Sequence, residues 1–229
     1  MAAALAAGLR LETVLATPEL LASAAGRKLA RALPEPPLAV AAELLADLAD
    51  ADSPRGVLAV ARLPRGGVAA LPLGEDALYL YLDGLQDPGN LGALARVAEA
   101  AGAAGLALSP GSAHPNHPRA LRASAGSLLR LPVAVDATAD ALAAHLASLV
   151  PAPRWAALVP RGGVDLWQAP LAGPLVLAVG AEGPGLSPAA AARADLRLTI
   201  PMEPPVESLN ATVAAALVLF EARRRRSVI

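Results

Sequence analysis

The chain has 229 residues, 55% of them hydrophobic and only 2% aromatic, so alanine, leucine and valine must build its core. With no cysteine, disulfides and thiolate metal sites are excluded. The formal net charge of −1 excludes a uniformly basic nucleic-acid binder and leaves only local patches for phosphate.

The opening residues MAAALAAGLR are short, apolar and without a basic start, which argues against a signal peptide. No uninterrupted apolar run reaches the ~18 residues of a membrane span, so none is expected; with no cysteine to indicate an oxidising compartment, a cytoplasmic location is the default. Residues 1–62 read as a helix-rich unit ending in a strand. Within it, 38–48 has the spacing of an amphipathic helix, Asp52, Ser53 and Pro54 make a turn, and 56–61 (GVLAVA) is a short apolar strand. Residues 63–76 carry two prolines, three glycines and few packing residues, and read as a linker.

Over 77–229 the pattern becomes short apolar strands alternating with helices. Strands are expected at 78–82, 105–108, 132–135, 155–159, 175–179 and 197–200. Helices are expected at 91–101, 118–129 and 139–149, with a last one from about 208 to 225. Strands apolar on both faces and separated by helices predict an α/β fold with a parallel sheet covered on both sides. Ligands in such sheets sit beyond the carboxyl ends of the strands.

Three of the following loops carry candidate chemistry. The first, LDGLQDPGNLGALAR (82–96), turns on Asp87-Pro88-Gly89 and enters a helix near Asn90, a plausible N-cap. Leu91, Leu94, Ala98 and Ala101 form that helix's apolar stripe, and Arg96 points away from it, with an ordinary pairing to Glu99 as the plain alternative. The second, VGAEGPGLS (179–187), has three glycines and Glu182 after an apolar strand, so a backbone can approach a ligand, although a simple strand-to-helix turn would look similar. In the third, IPMEPPVESLN (200–210), Ser208 can cap the final helix, Leu209, Val213, Leu217 and Phe220 read as its buried stripe, and Asn210 is unusual just inside a helix. The run Arg223 to Arg226, like the cluster of Arg119, Arg122 and Arg130, fits either phosphate binding or a solvated helix face.

Taken together, NLGALARVAEAAG, AVGAEGPGLS and IPMEPPVESLNATVAAALVLFEA, with HPNHPRALRASAGSLLRLPV between the first two, resemble the conserved motifs of the SpoU (TrmH-like) RNA 2′-O-ribose methyltransferases of the SPOUT superfamily. The resemblance covers 78–225. It implies a parallel α/β sheet with a deep C-terminal trefoil knot, a rare exception to ordinary topology. It also implies S-adenosylmethionine as cofactor, held by Gly180, Ile200, Leu209 and Met202, and no metal. Arg96 matches the arginine assigned the base role. Arginine is normally always charged, so this residue either loses its cation in the site or positions the hydroxyl. Asn90 and Glu182 would hold Arg96 and the loops in place, and Ser208 and Asn210 would orient ribose or arginine.

A homodimer with RNA, more directly ribosomal than transfer RNA, is implied as the working assembly. LADLADADSPRGVLAVARLP resembles the end of an L30e-like substrate-binding domain, whose opening part is shortened here. Pro204 stands where the family usually has glycine, and proline fixes φ. Two rivals remain at this level: a non-catalytic RNA-binding relative, and a dinucleotide enzyme of Rossmann type, against which the missing GxGxxG counts.

Overall fold

The computed structural model describes residues 1–49, 55–63, 66–75 and 77–226, and the chain divides into two compact units between residues 64 and 65. In the first unit, side-chain caps set the helix starts. Thr17 and Ser23 accept hydrogen bonds from the Leu20 and Gly26 amides. The order is α1 (Ala2–Ala6), β1 (Leu11–Ala16), α2 (Pro18–Ala22), α3 (Ala24–Arg31), β2 (Leu38–Ala39), α4 (Ala42–Leu48) and β3 (Val57–Ala61). β1 is central, parallel to β2 and antiparallel to β3.

Two expectations need correction there. β1 was not foreseen, and the helix expected over 38–48 starts only at Ala42. Leu38 and Ala39 instead pair with Leu15 and Ala16, so tertiary pairing overrides a helical periodicity. The turn expected at Asp52-Ser53-Pro54 lies outside the described residues.

The second unit begins with a 3₁₀ turn (Val68–Ala70) and continues as β4 (Leu78–Asp83), α5 (Pro88–Ala100), β5 (Gly105–Leu108), α6 (Pro118–Ala123), α7 (Ser127–Arg130), β6 (Val133–Ala134), α8 (Ala139–Leu146), β7 (Arg154–Leu158), β8 (Val164–Asp165), β9 (Leu175–Gly180), α9 (Pro188–Ala192), β10 (Leu196–Thr199) and α10 (Ala211–Arg226). The strands form a seven-stranded sheet in the order β6-β5-β4-β9-β7-β10-β8, with every neighbouring pair parallel. Strand alternation divides β4 between two cores. Leu78, Leu80 and Leu82 face α5, α6, α7 and α10, while Tyr79 and Tyr81 face α8, α9 and Trp155. Both faces are buried, as continuous apolar strands require.

Several boundaries differ from expectation for visible reasons. The described part of 63–76 is packed rather than a free linker: Gly66 bridges Ala134, and Leu71 is buried over Gly105. The helix expected over 118–129 breaks into α6 and α7 because Ala125 and Gly126 adopt φ of 49° and 94°. Gly92 lets α6 approach α5 closely, since a Cβ there would lie 2.3 Å from the Ala120 carbonyl oxygen. β10 enters between β7 and β8, although residues 159–163 are all that joins those strands in sequence. Thr199 Oγ1 accepts from the Gly163 amide (2.9 Å) and donates to the Val159 carbonyl (3.2 Å), fixing that loop across the end of β10.

In α10 the buried side is Ala214, Ala215, Val218, Leu219 and Ala222, not the stripe expected from Leu209, Val213, Leu217 and Phe220. The helix is apolar on more than one face, and the small residues take the side that packs against α5. Its terminal arginines are tied to the protein. Arg223 donates to the Ala100 carbonyl, Arg225 to those of Ala169 and Trp167, and Arg226 to that of Gly173. Arg224 and Arg225 both donate to the buried Glu221. Those bonds, Arg224's first, hold the Glu221 carboxyl down to about 2. A depressed folded value means stability that is complete above the ordinary carboxylate range and lost as pH falls through the folded value. Glu221→Gln should therefore lower unfolding free energy by about 2 kcal/mol at neutral pH. In denaturant titrations, the gap to the parent should close as pH falls from ~4 toward 2.

Candidate active site

The site is built at the carboxyl ends of β7, β9 and β10. Gly180 ends β9 against the backbone of the loop that follows it: a Cβ there would lie 2.1 Å from the Gly185 carbonyl carbon and 2.3 Å from the Leu186 nitrogen. Ala181 and Gly185 close this loop with reciprocal backbone hydrogen bonds of 3.1 and 2.9 Å, and Gly183 and Gly185 take φ of 88° and 75°. Asp83, at the end of β4 beside Gly180, accepts a 2.7 Å hydrogen bond from the Ser187 amide. Thus a buried carboxylate pins the loop's far end. Sequence reading missed Asp83; its signal was a charge closing a strand that is otherwise apolar on both faces.

A pocket of about 590 Å³ opens above these strand ends. One wall is Leu158, Val159 and Pro160, held by Thr199. The floor includes Val179, Gly180 and Ile200, and the remaining wall brings Met202, Ser208, Leu209 and Asn210. The pocket therefore unites seven of the nine sequence-predicted site residues: Gly180, Glu182, Ile200, Met202, Ser208, Leu209 and Asn210. Leu158, Val159 and Pro160 were not anticipated, because nothing but the sheet order brings them there. The loop before Ser208 contains a cis peptide bond between Pro204 and Pro205.

Asn90 lies outside the pocket lining but is bonded to its edge. Its Nδ2 donates to Glu182 Oε1 at 2.9 Å, and Asn210 Nδ2 approaches Asn90 Oδ1 and Glu182 Oε1 at 3.4 and 3.5 Å. Side chains from the first turn of α5, the loop after β9 and the loop before α10 so converge. The capping roles are redistributed to allow this. Asp87, not Asn90, caps α5 by accepting from the Asn90 amide (2.6 Å), with Pro88 in the first turn. Asn210, not Ser208, precedes α10 and accepts from the Thr212 and Val213 amides.

Arg96 stands apart. It is exposed on α5, does not line the pocket, and makes no hydrogen bond or ion pair among the described residues. The pairing with Glu99 does not form, because Arg130 takes both Glu99 carboxylate oxygens at 2.7 Å and holds that carboxyl below its usual range.

The pocket's size suits a nucleoside-sized cofactor. Apolar side chains and glycine backbone offer an adenine its contacts, and Glu182 puts a carboxylate suited to a sulfonium cation at the pocket edge, so the residues present fit S-adenosylmethionine. Among the described residues no cluster of three or more potential ligands could hold a metal ion, and no helix is long and apolar enough to cross a membrane.

Comparison with known proteins agrees with this geometry. The model of the SpoU rRNA methylase family matches residues 77–220, which contain every element of the site. The chain belongs to the SpoU family. A 23S rRNA (uridine(2479)-2′-O)-methyltransferase of Streptomyces viridochromogenes is 31% identical over 210 residues, 87% of this chain and 71% of that protein. The crystal structure of the SpoU methyltransferase AviRb from that organism, in complex with the cofactor AdoMet, superposes with a TM-score of 0.90 at 29% identity, covering 99% of this chain and 87% of that one. An AdoMet-bound rRNA methyltransferase from Sinorhizobium meliloti gives 0.83 at 28% identity, covering 97% and 83%. Both superpositions cover nearly the whole of this chain, the N-terminal unit included.

The backbone crossing at Gly180 separates two kinds of glycine. Gly180→Ala should destabilise the protein by more than ~2 kcal/mol and abolish cofactor binding, because backbone must move. Gly183→Ala meets open space and only an unfavourable φ, so it should cost about 1 kcal/mol and leave binding measurable. Denaturant titration and calorimetric titration with S-adenosylmethionine check both.

Proposed function

We propose that this SpoU protein transfers a methyl group from S-adenosylmethionine to a ribose 2′-hydroxyl of RNA, with ribosomal RNA as substrate and the cytoplasm as its place of work. The observation that carries this is the convergence of Glu182, Ile200 and Asn210, from loops distant in sequence, around one pocket tied to Asn90 on α5. The names of the Streptomyces and Sinorhizobium relatives support the RNA and the cofactor.

When bound, the cofactor supplies an electrophilic methyl on a sulfonium centre. The chain's own residues then have separable tasks. Gly180, Ile200, Met202 and Leu209 bind and orient the nucleoside through backbone and apolar contact. Asn90, Glu182 and Asn210 lock the pocket edge to α5, and Ser208 with Asn210 turns toward the ribose. Arg96, exposed and uncommitted, positions and polarises the 2′-hydroxyl, whose proton passes to water as the oxygen–methyl bond forms and the carbon–sulfur bond breaks. The threading of β10 beneath residues 159–163 is the element from which a trefoil knot is built, and it supports that part of the fold assignment.

Two wider readings accompany this one. The exposed side of α10 (Val213, Leu217 and Phe220, beside Trp167) is a large apolar patch of the kind a homodimer covers. Leu217→Glu with Phe220→Glu should give monomers by sedimentation, and unchanged mass would remove the interface. The N-terminal unit, with its β2-β1-β3 sheet, serves as an L30e-like substrate-binding domain; deleting it should weaken RNA binding and leave cofactor affinity intact.

For the chemistry, Arg96→Ala should keep the rise in melting temperature caused by S-adenosylmethionine and lose at least ~100-fold in transfer. Transfer is read from labelled methyl on RNA of a strain lacking the protein. Full transfer by Arg96→Ala removes Arg96 from the mechanism. Cofactor binding by the parent without any transfer would make it a non-catalytic RNA-binding relative.

A further inference from the structure

Charge is unevenly placed on the second unit. Residues 88–134 contain a single acidic side chain, Glu99, against Arg96, Arg119, Arg122 and Arg130. Glu99 is fully engaged by Arg130. Asp87, just outside the segment, caps α5 with one oxygen and lies 3.7 Å from Arg119 with the other.

The arginines are also aligned. α6 and α7 run beside α5 in the same direction, tied at three levels: Arg119 to Asp87, Ala123 and Ser124 against Gly92, and Arg130 to Glu99. Arg96 lies one turn beyond Gly92 on the same face of α5, so it stands beside this seam. Arg96, Arg119 and Arg122 are exposed. In the loop leading to α6, His114 and His117 accept the Asn116 and Arg119 amides through Nδ1, which leaves Nε2 of each exposed ring as its donor. Among the described residues the exposed large hydrophobic side chains lie elsewhere, so the seam lacks the apolar centre of a protein interface.

We propose that the seam between α5 and α6–α7 is the phosphate track of the substrate RNA, with Arg119 and Arg122 gripping backbone phosphates next to the ribose presented at Asn90 and Arg96. Guanidinium forks suit phosphate oxygens, and the track leads along α5 toward the edge of the cofactor pocket. The proposal rests on the RNA methyltransferase reading, and specifies which surface holds the strand.

The test is filter binding of end-labelled total ribosomal RNA to the full chain over a salt series. Arg119→Glu with Arg122→Glu should weaken binding at least ~10-fold and flatten its salt dependence. Arg193→Glu with Arg197→Glu makes the same change in net charge beyond α5 and α6, and should stay within ~2-fold of the parent. Under turnover the track variant should show raised KM for RNA with kcat retained, and an unchanged melting shift on adding S-adenosylmethionine. If Arg119→Glu disturbs folding through Asp87, Arg122→Gln alone should still lower RNA affinity. Equal losses in both double variants, or none in the track variant, overturn the proposal. A parent that binds RNA through these arginines yet transfers no methyl would instead overturn the methyltransferase reading and leave the track standing.

Discussion

The functional face depends on one steric fact: the main chain crosses itself at Gly180 with no room for a side chain. Strand β9 ends there, the following turn folds back over it, and Asp83 anchors the returning strand of chain through Ser187. That crossing sets Glu182 at the pocket edge, where Asn90 and Asn210 reach it. A second crossing, β10 beneath residues 159–163, brings Ile200 and the loop to Leu209 onto the opposite side of the same cavity. The pocket is thus a consequence of how backbones pass one another, which explains why it is lined largely by glycine, small apolar groups and main chain.

The scaffold that holds these crossings uses polar ties at its ends and small residues between them. α10 lies on α5 through alanines and Val218, and its C-terminal arginines fasten it to carbonyls of the α5 end and of the loop 167–173. Cations at a helix C-terminus complement its dipole, and here they also satisfy distant carbonyls. That commitment takes these four residues away from the role of a free basic patch. Along α5 and α6, by contrast, Arg96, Arg119 and Arg122 present exposed positive charge with little acidic charge beside it.

Much of this was legible in the residues and some was not. The strand at 78–82 follows from its short continuous apolar run, and the stripe Leu91, Leu94, Ala98 and Ala101 from helical spacing with one clear apolar face. α10 defeated the same reasoning. It is apolar nearly all round, and the bulky stripe is the exposed one. The expected caps fall on the wrong neighbours: Asp87 rather than Asn90 caps α5, and Asn210 rather than Ser208 caps α10, since two capping residues compete at each helix start. β1 and β2 depend on pairing partners from elsewhere in the chain, which no local pattern reveals. The wall at Leu158–Pro160 and the anchor at Asp83 depend on strand order, and strand order is invisible to local sequence.

The most direct measurement is amide hydrogen exchange of the full chain with and without S-adenosylhomocysteine, the demethylated form of the cofactor. Slowed exchange together in the segments around 158–160, 180–186 and 200–211 is the expected result, because one ligand would touch all three. Protection confined to a single one of these segments, or appearing only elsewhere in the chain, would contradict a shared pocket for the methyl donor.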